Sequence, residues 1–189
     1  MDLLLSGKRA VITGGSRGIG FAIADALAAE GAEIAILARD ADQLAVAGAL
    51  LRARGGRVLA LSADTTDDKA VRTAITHVAE ELGGVDILVN NAATPAGASS
   101  PRDLADLVDD DILAAFDTKV LGYLRTARAA APYMTARGWG RIINISGLAA
   151  RGVSTASGSI RNVAVAALTK TLADELGPHG VNVDRKSVV

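Results

Sequence analysis

The sequence predicts a doubly wound α/β domain, a parallel sheet with helices on both faces, and three observations predict it. Short apolar runs alternate along the chain with longer stretches of helical period, the order that a parallel sheet needs. The runs are continuously apolar instead of alternating, as strands are when both their faces are covered. The first run also leads through a glycine-rich turn, "TGGSRGIG", straight into a helical pattern.

Taken in order, "RAVIT" reads as a buried strand and "GIGFAIADALAAEG" as a helix that stops at Gly31, a suitable C-terminal cap. "EIAILA" is a second strand, and "ADQLAVAGALLRARGG" a second helix ended by paired glycines. "RVLALSA" is a third strand, residues 67–82 a third helix, and "VDILVN" a fourth strand. Residues 101–137 hold the long helical stretch "DDILAAFDTKVLGYLRTARAAAPYMTAR", which Pro132 is expected to bend or end early. "GRIINIS" is a fifth strand, and residues 155–176 form roughly a further helix.

"GVNV" begins a sixth strand, which the charged stretch "DRKSVV" then cuts into. Those six residues match the in-frame translation of a common sequencing-library adapter, GATCGGAAGAGCGTCGTG. Residues 184–189 are therefore expected to be a non-native tail on a single domain of residues 1–183, its sheet truncated at the sixth strand. An unpaired edge left there invites aggregation.

The totals narrow the function. The chain has 189 residues, enough for one domain with a real core. A net charge of −1 gives no electrostatic footprint for nucleic acid or an anionic membrane. There is no cysteine, which excludes disulfides, thiolate catalysis and cysteine-ligated metal. Two histidines, His77 and His179, are too few for a usual zinc site; both read as polar surface residues. The start carries no signal peptide pattern, and no segment is long enough to span a bilayer, so cytoplasmic residence is the expectation.

The chemistry lies in the turn. Gly14, Gly18 and Gly20 take the spaced positions that permit a tight turn and let a phosphate approach the backbone and the helix N-terminus. Gly14, Ser16, Arg17, Gly18, Ile19 and Gly20 are the candidate cofactor residues of this loop. A dinucleotide site for NAD usually has an acid near the end of the second strand. Here that strand ends "ILARD", with Ala38 at that place and Arg39 next. Arg17 and Arg39 suit a 2′-phosphate by charge and bidentate bonding, which favours NADP. Asp40, one or two positions late, is the NAD alternative, and two solvated arginines are the bland one.

With these motifs the chain resembles the short-chain dehydrogenase/reductase family. "TGGSRGIG" looks like its T-G-x-x-x-G-x-G, "NNAA" like its N-N-A-G after the fourth strand, and "GRIINIS" and "LADELGPHGVNV" like its fifth strand, late helix and sixth strand. The likeness runs over residues 8–183. It implies a Rossmann-type sheet, a small-molecule carbonyl or alcohol substrate and assembly as a homodimer or homotetramer. It also implies that Asp64 bonds the adenine and that Asn90, Asn91 and Ala92 line the cofactor. Their bland readings are a cap before a helix and turn residues.

The family's catalytic serine, tyrosine, lysine and asparagine fall, by counting from neighbouring motifs, on Gly147, Gly158, Asn162 and Lys119. None of those roles carries over, so the catalytic residues are unknown from sequence. Ser146 precedes the serine position but is expected to face away unless the strand bulges. Ser159 and Arg161 flank the expected positions on a helix that turns roughly 100° per residue. Asn162 could bond a ribose without bringing charge. Lys119 is a candidate acid if desolvation lowers its pKa; the bland reading is an exposed or salt-bridged lysine. Tyr123 and Tyr133, on the long helix, read as packing and interface residues. Two functions follow from this: an NADP-dependent oxidoreductase of divergent mechanism, or a nucleotide-holding pseudoenzyme or partner subunit.

Overall fold

The computed structural model describes residues 3–93, 104–152 and 155–188. Residues 101–103 of the long helical stretch and Val189 of the tail lie outside it. Among the described residues six parallel strands form one sheet in the order β3-β2-β1-β4-β5-β6. They are β1 (Arg9–Thr13), β2 (Glu33–Ala38), β3 (Val58–Ser62), β4 (Ile87–Asn90), β5 (Gly140–Gly147) and β6 (Val181–Val188). The helices between them are α1 (Gly18–Ala29), α2 (Ala41–Arg52), α3 (Asp68–Leu82), α4 (Asp109–Phe116), α5 (Gly122–Thr135) and α6 (Ala156–Leu176). This is the Rossmann-type doubly wound sheet expected from the sequence.

The continuous apolar runs serve two faces at once. Along β1, Val11 joins a cluster with Val71, Ile75 and Val78 of α3, Ala127 and Met134 of α5 and Leu172 of α6. Its neighbours Ala10 and Ile12 join the opposite cluster, with Ala24 and Ala28 of α1 and Leu44 and Leu51 of α2. Each strand is a two-sided wall because successive side chains point to opposite faces. Local chemistry sets the helix starts: the Asp40, Asp67 and Thr155 side chains accept from the first-turn N–H groups of α2, α3 and α6.

Two readings need correction. The long helical stretch is not uniform: residues Asp117–Leu121 form one π-helical turn between α4 and α5. Such a turn inserts a residue into the helical register, a feature that often marks a functional site. Pro132 does not end α5 early; it sits inside the helix, whose last residue is Thr135. The proline's missing N–H is lost only in the final turn.

The charged stretch also fails to stop β6. Its pairing with β5 continues from Gly140↔Val181 to Gly147↔Val188. Main-chain bonds are indifferent to side-chain charge, and Asp184 and Lys186 point to solvent. Arg185 pays for this register: it shares a face with buried Val181 and Val183, and its Nη1 is buried without a hydrogen-bond partner.

A polar ladder ties the sheet to the helices beneath the site. Asn90 and Asn144 are register partners on β4 and β5, both wholly buried. Asn90 Nδ2 donates to Asn144 Oδ1 at 2.9 Å, and Thr126 Oγ1 of α5 donates to Asn90 Oδ1 at 2.6 Å. Asn144 Nδ2 in turn donates to Thr169 Oγ1 of α6 at 3.0 Å. Buried polar groups hold position only when they are partnered, and this chain fixes α5 and α6 against the carboxyl ends of β4 and β5.

Candidate active site

The chain order reverses between β1 and β4, which are neighbours in the sheet. The crevice beyond the carboxyl ends of such strands is where open α/β sheets bind ligands. The glycine turn leaves β1 there and "NNAA" leaves β4, and the two are latched together. Asn91 N–H and Ala92 N–H donate to Thr13 Oγ1 at 3.0 and 3.1 Å, and Asn91 Nδ2 donates to the Gly14 carbonyl at 3.2 Å. The Thr13 hydroxyl joins the two segments, a tie that the motif alone does not disclose.

The glycines are demanded by space as well as by conformation. Gly14 has φ +65°, and a Cβ there would stand 3.0 Å from Asn91 Nδ2 and 3.1 Å from Ala92 Cα. A Cβ on Gly20 would overlap the Gly14 carbonyl oxygen. α1 then opens with Arg17 at its N-cap, extended and making no side-chain cap bond, with no acid in the first turn. The dipole and N–H groups of that end are left to an anion. This turn, where a Cβ at Gly14 or Gly20 would strike the Asn91–Ala92 segment or the turn's own backbone, fits the pyrophosphate of a dinucleotide. Arg17, Gly18 and Ile19 are exposed along it, and Ser16 is half-buried.

At the next strand end, the Arg39 side chain is 76% exposed, with Nη1 3.9 Å from Asp64 Oδ2. Asp64 Oδ1 accepts from Thr66 N–H at 2.9 Å and Thr66 Oγ1 at 2.8 Å, so this acid caps a turn and also faces the arginine. Asp40 is committed elsewhere: its two carboxylate oxygens accept from Gln43 N–H and Gln43 Nε2 at 2.9 and 2.7 Å. Asn90 does not present its side chain to the cleft, since that side chain belongs to the buried ladder.

The four positions found by counting do meet. Lys119, in the π-turn, donates from Nζ to Asn162 Oδ1 at 2.9 Å, and Gly147 N–H donates to the same oxygen at 2.8 Å. Asn162 Nδ2 donates to the Gly158 carbonyl at 2.7 Å. Asn162 is therefore a buried junction, and its amide is engaged from both ends. Ser146 is not turned away: it is buried with Oγ 3.4 Å from Asn162 Oδ1, although pairing with β6 runs unbroken through Gly147. It lies two residues beyond Asn144, on the face that meets α6.

Lys119 is neither exposed nor salt-bridged. It is 7% exposed, and no carboxylate pairs with it among the described residues. Burial pushes its pKa down to about 8, and the charge of Arg161 adds to the effect. Arg161 is half-buried, and among the described residues its Nε has no partner; nor has Ser157 Oγ, on a residue 1% exposed. The tyrosines do not stand in. Tyr123 OH donates to the Ile145 carbonyl at 2.9 Å, and burial raises its pKa further from use. Tyr133 packs against the core. His77 and His179 are exposed, as read.

A family model described as short chain dehydrogenase matches residues 8–185. The chain belongs to that family. It is 38% identical over 181 residues to the short-chain reductase protein NovJ of Streptomyces niveus, covering 93% of this chain and 66% of that one. Among solved structures it is similar to the L-sorbose reductase of Gluconobacter frateurii complexed with NADPH and L-sorbose, at 36% identity and TM-score 0.91, covering 98% of this chain and 70% of that one. It is also similar to an NAD⁺-bound xylitol dehydrogenase, at 31% identity and TM-score 0.92, covering 97% and 70%. The short-chain dehydrogenase chain thus spans about two thirds of the length of the relatives it matches. Those two structures hold NADPH in one case and NAD⁺ in the other. Among the described residues no helix is long and apolar enough to cross a membrane.

Proposed function

We propose that the chain is an NADP-dependent oxidoreductase of the short-chain type, acting on a carbonyl or alcohol, in which Lys119, Gly147, Gly158 and Asn162 replace the usual tetrad. The observation that carries this is the latched pair of segments at the switch point, with glycine at positions 14 and 20, where a Cβ would collide with the latch. Gly14, Ser16, Gly18, Ile19 and Gly20 would hold the pyrophosphate, and Arg17 and Arg39 the 2′-phosphate. Asp64 would meet the adenine, while Asn91 and Ala92 would line the nicotinamide side with Asn90 bracing them from below. When bound, NADP(H) supplies a hydride donor or acceptor. The chain's own residues position it and exclude water.

Arg39 supports the choice of NADP, being exposed and held only by a 3.9 Å contact to Asp64, while Asp40 already caps α2. Arg39→Ala is expected to weaken NADPH about tenfold and leave NADH nearly unchanged, since one charge-assisted contact is lost. Dissociation constants from nicotinamide fluorescence check this; tighter binding of NADH by the parent protein contradicts the NADP reading.

The replaced tetrad favours a second reading, a catalytically impaired NADP-binding pseudoenzyme or partner subunit. It is supported by Asn162, whose amide is tied to Lys119, Gly147 and Gly158 and brings no charge to a ribose. NADPH titration followed by a carbonyl substrate panel separates the two: binding with turnover supports the enzyme, binding without it the pseudoenzyme.

Assembly as a homodimer or homotetramer completes the proposal. An apolar groove of about 480 Å³ runs between α5 and α6, lined by Leu124, Ala127, Ala131, Pro132, Leu172 and Leu176. Light scattering after size exclusion is expected to give twice or four times the chain mass, and a monomer at micromolar concentration contradicts it.

Residues 184–189 are proposed to be foreign to the native chain. Arg185 supports this, since it shares a face of β6 with buried Val181 and Val183 and its Nη1 is buried with no partner among the described residues. A read of the source locus across codon 183 is expected to show a different, apolar continuation; one that encodes "DRKSVV" contradicts the proposal.

A further inference from the structure

Two turns of the crevice meet at Arg125, in the first turn of α5, where its guanidinium forks. Nη1 donates to the Thr65 carbonyl at 3.1 Å and, more weakly, to the Asp117 carbonyl at 3.4 Å, while Nη2 donates to Asp117 Oδ1 at 2.7 Å. Thr65 lies between Asp64, proposed to meet the adenine, and Thr66, whose N–H and hydroxyl hold the Asp64 carboxylate. Asp117 opens the π-turn that brings Lys119 to Asn162. The arginine side chain is 17% exposed, so the fork is largely out of water, where charge-assisted bonds are strong.

Backbone space repeats the same meeting. Gly122 follows the π-turn directly, and a Cβ there would stand 3.1 Å from both Thr65 Cβ and Thr65 Oγ1. Thr65 is itself buried, so α5 approaches the turn after β3 this closely only because position 122 has no side chain. Holding α5 to α3 does not call for Arg125. Arg128, one turn on, pairs with Asp68 at 2.5 Å, and Ala127 and Met134 share a core with Val71 and Ile75. What Arg125 adds is a tie between the adenine-side turn and the reaction-side turn. A π-turn breaks the α pattern of backbone bonds, and a side-chain tie at its first residue helps to set its register.

We propose that Arg125 is a positioning residue that couples the two ends of the cofactor crevice: a nucleotide held at the Asp64 turn orders the π-turn, and so sets Lys119, through this guanidinium. The proposal rests on the reading that the adenine lies at Asp64. Order imposed on Asp64, Thr65 and Thr66 reduces the freedom left for Asp117 to lose, and the fork carries that order across. Lysine is no substitute here. It keeps a charge for Asp117, but a single ammonium on a flexible stem does not hold a carboxylate and a carbonyl in one fixed plane.

Adenosine 2′,5′-bisphosphate carries the adenine and the 2′-phosphate without the nicotinamide, so it serves the Asp64 turn and not Lys119. Hydrogen exchange of the whole chain, read by mass spectrometry with and without this ligand, tests the coupling. In the parent, saturating ligand is expected to slow exchange across residues 117–122 by about fivefold or more, and across residues 130–135, farther along α5, by less than about twofold. In Arg125→Gln and Arg125→Lys the ligand is expected to bind within about threefold of the parent while the slowing at residues 117–122 disappears. Arg125→Lys is also expected to keep the parent's melting temperature, a split that a merely structural arginine would not give. If a variant fails to fold, the parent decides. Slowing that survives in Arg125→Lys, or a parent that binds the ligand with residues 117–122 slowed no more than residues 130–135, overturns the proposal and leaves the cofactor reading standing. A parent that does not bind the bisphosphate overturns both.

Discussion

Gly20→Val is expected to lower NADPH affinity by about a hundredfold or more. The position is tight against main chain: a Cβ there would overlap the Gly14 carbonyl oxygen and stand 2.5 Å from Asn91 Nδ2. Neither neighbour can yield cheaply. Gly14 takes φ +65° and its N–H donates to the Leu37 carbonyl at 2.7 Å, so moving it disturbs β2 as well. Gly18 makes the contrast. It has φ +56° but nothing within 4 Å of a Cβ, so Gly18→Ala meets only conformational strain of about 1–2 kcal/mol. Calorimetric titration with NADPH, alongside melting curves, reads both variants. A folded Gly20→Val protein that binds NADPH like the parent contradicts the cradle.

The combined variant Lys119→Asn, Gly147→Ser, Gly158→Tyr and Asn162→Lys is expected to raise carbonyl reduction by about 10²- to 10⁴-fold, the usual worth of a positioned acid. The four changes belong together. Asn162→Lys alone would set a second ammonium where Lys119 Nζ now donates at 2.9 Å, and Arg161 already adds charge nearby. A Cβ at Gly147 would lie 3.3 Å from Asn162 Nδ2, close contact that the longer lysine stem must replace. NADPH consumption over a carbonyl panel is the measurement. A variant that binds NADPH and gains nothing shows that the scaffold lacks more than its tetrad.

Much of this arrangement was legible because it rests on local pattern. "RAVIT" and "EIAILA" are strands buried on two faces, and such strands need continuous apolar sequence. "TGGSRGIG" declares a turn whose glycines have steric reasons that the structure repeats at Gly14 and Gly20. Counting from neighbouring motifs brought Lys119, Gly147, Gly158 and Asn162 to one place. What sequence hid was tertiary. A π-turn at Asp117–Leu121 leaves no mark in periodicity, yet it helps set where Lys119 points. Asn90 looked like a cofactor residue, but only its pairing with Asn144 and Thr126 reveals a brace. Lys119 reads as a surface lysine until α6 covers it. β6 runs on through a charged stretch because backbone pairing carries it past Arg185.

The central claim is that this chain keeps the cofactor end of a short-chain dehydrogenase while its reaction end is rebuilt around Lys119 and Asn162. Titration of the protein with NADPH, followed calorimetrically, tests it most directly. Saturable binding of one NADPH per chain is expected, lost in Gly20→Val and retained in Lys119→Met. A folded protein that takes up no NADPH at millimolar concentration, or a Lys119→Met protein that loses it, would contradict the account.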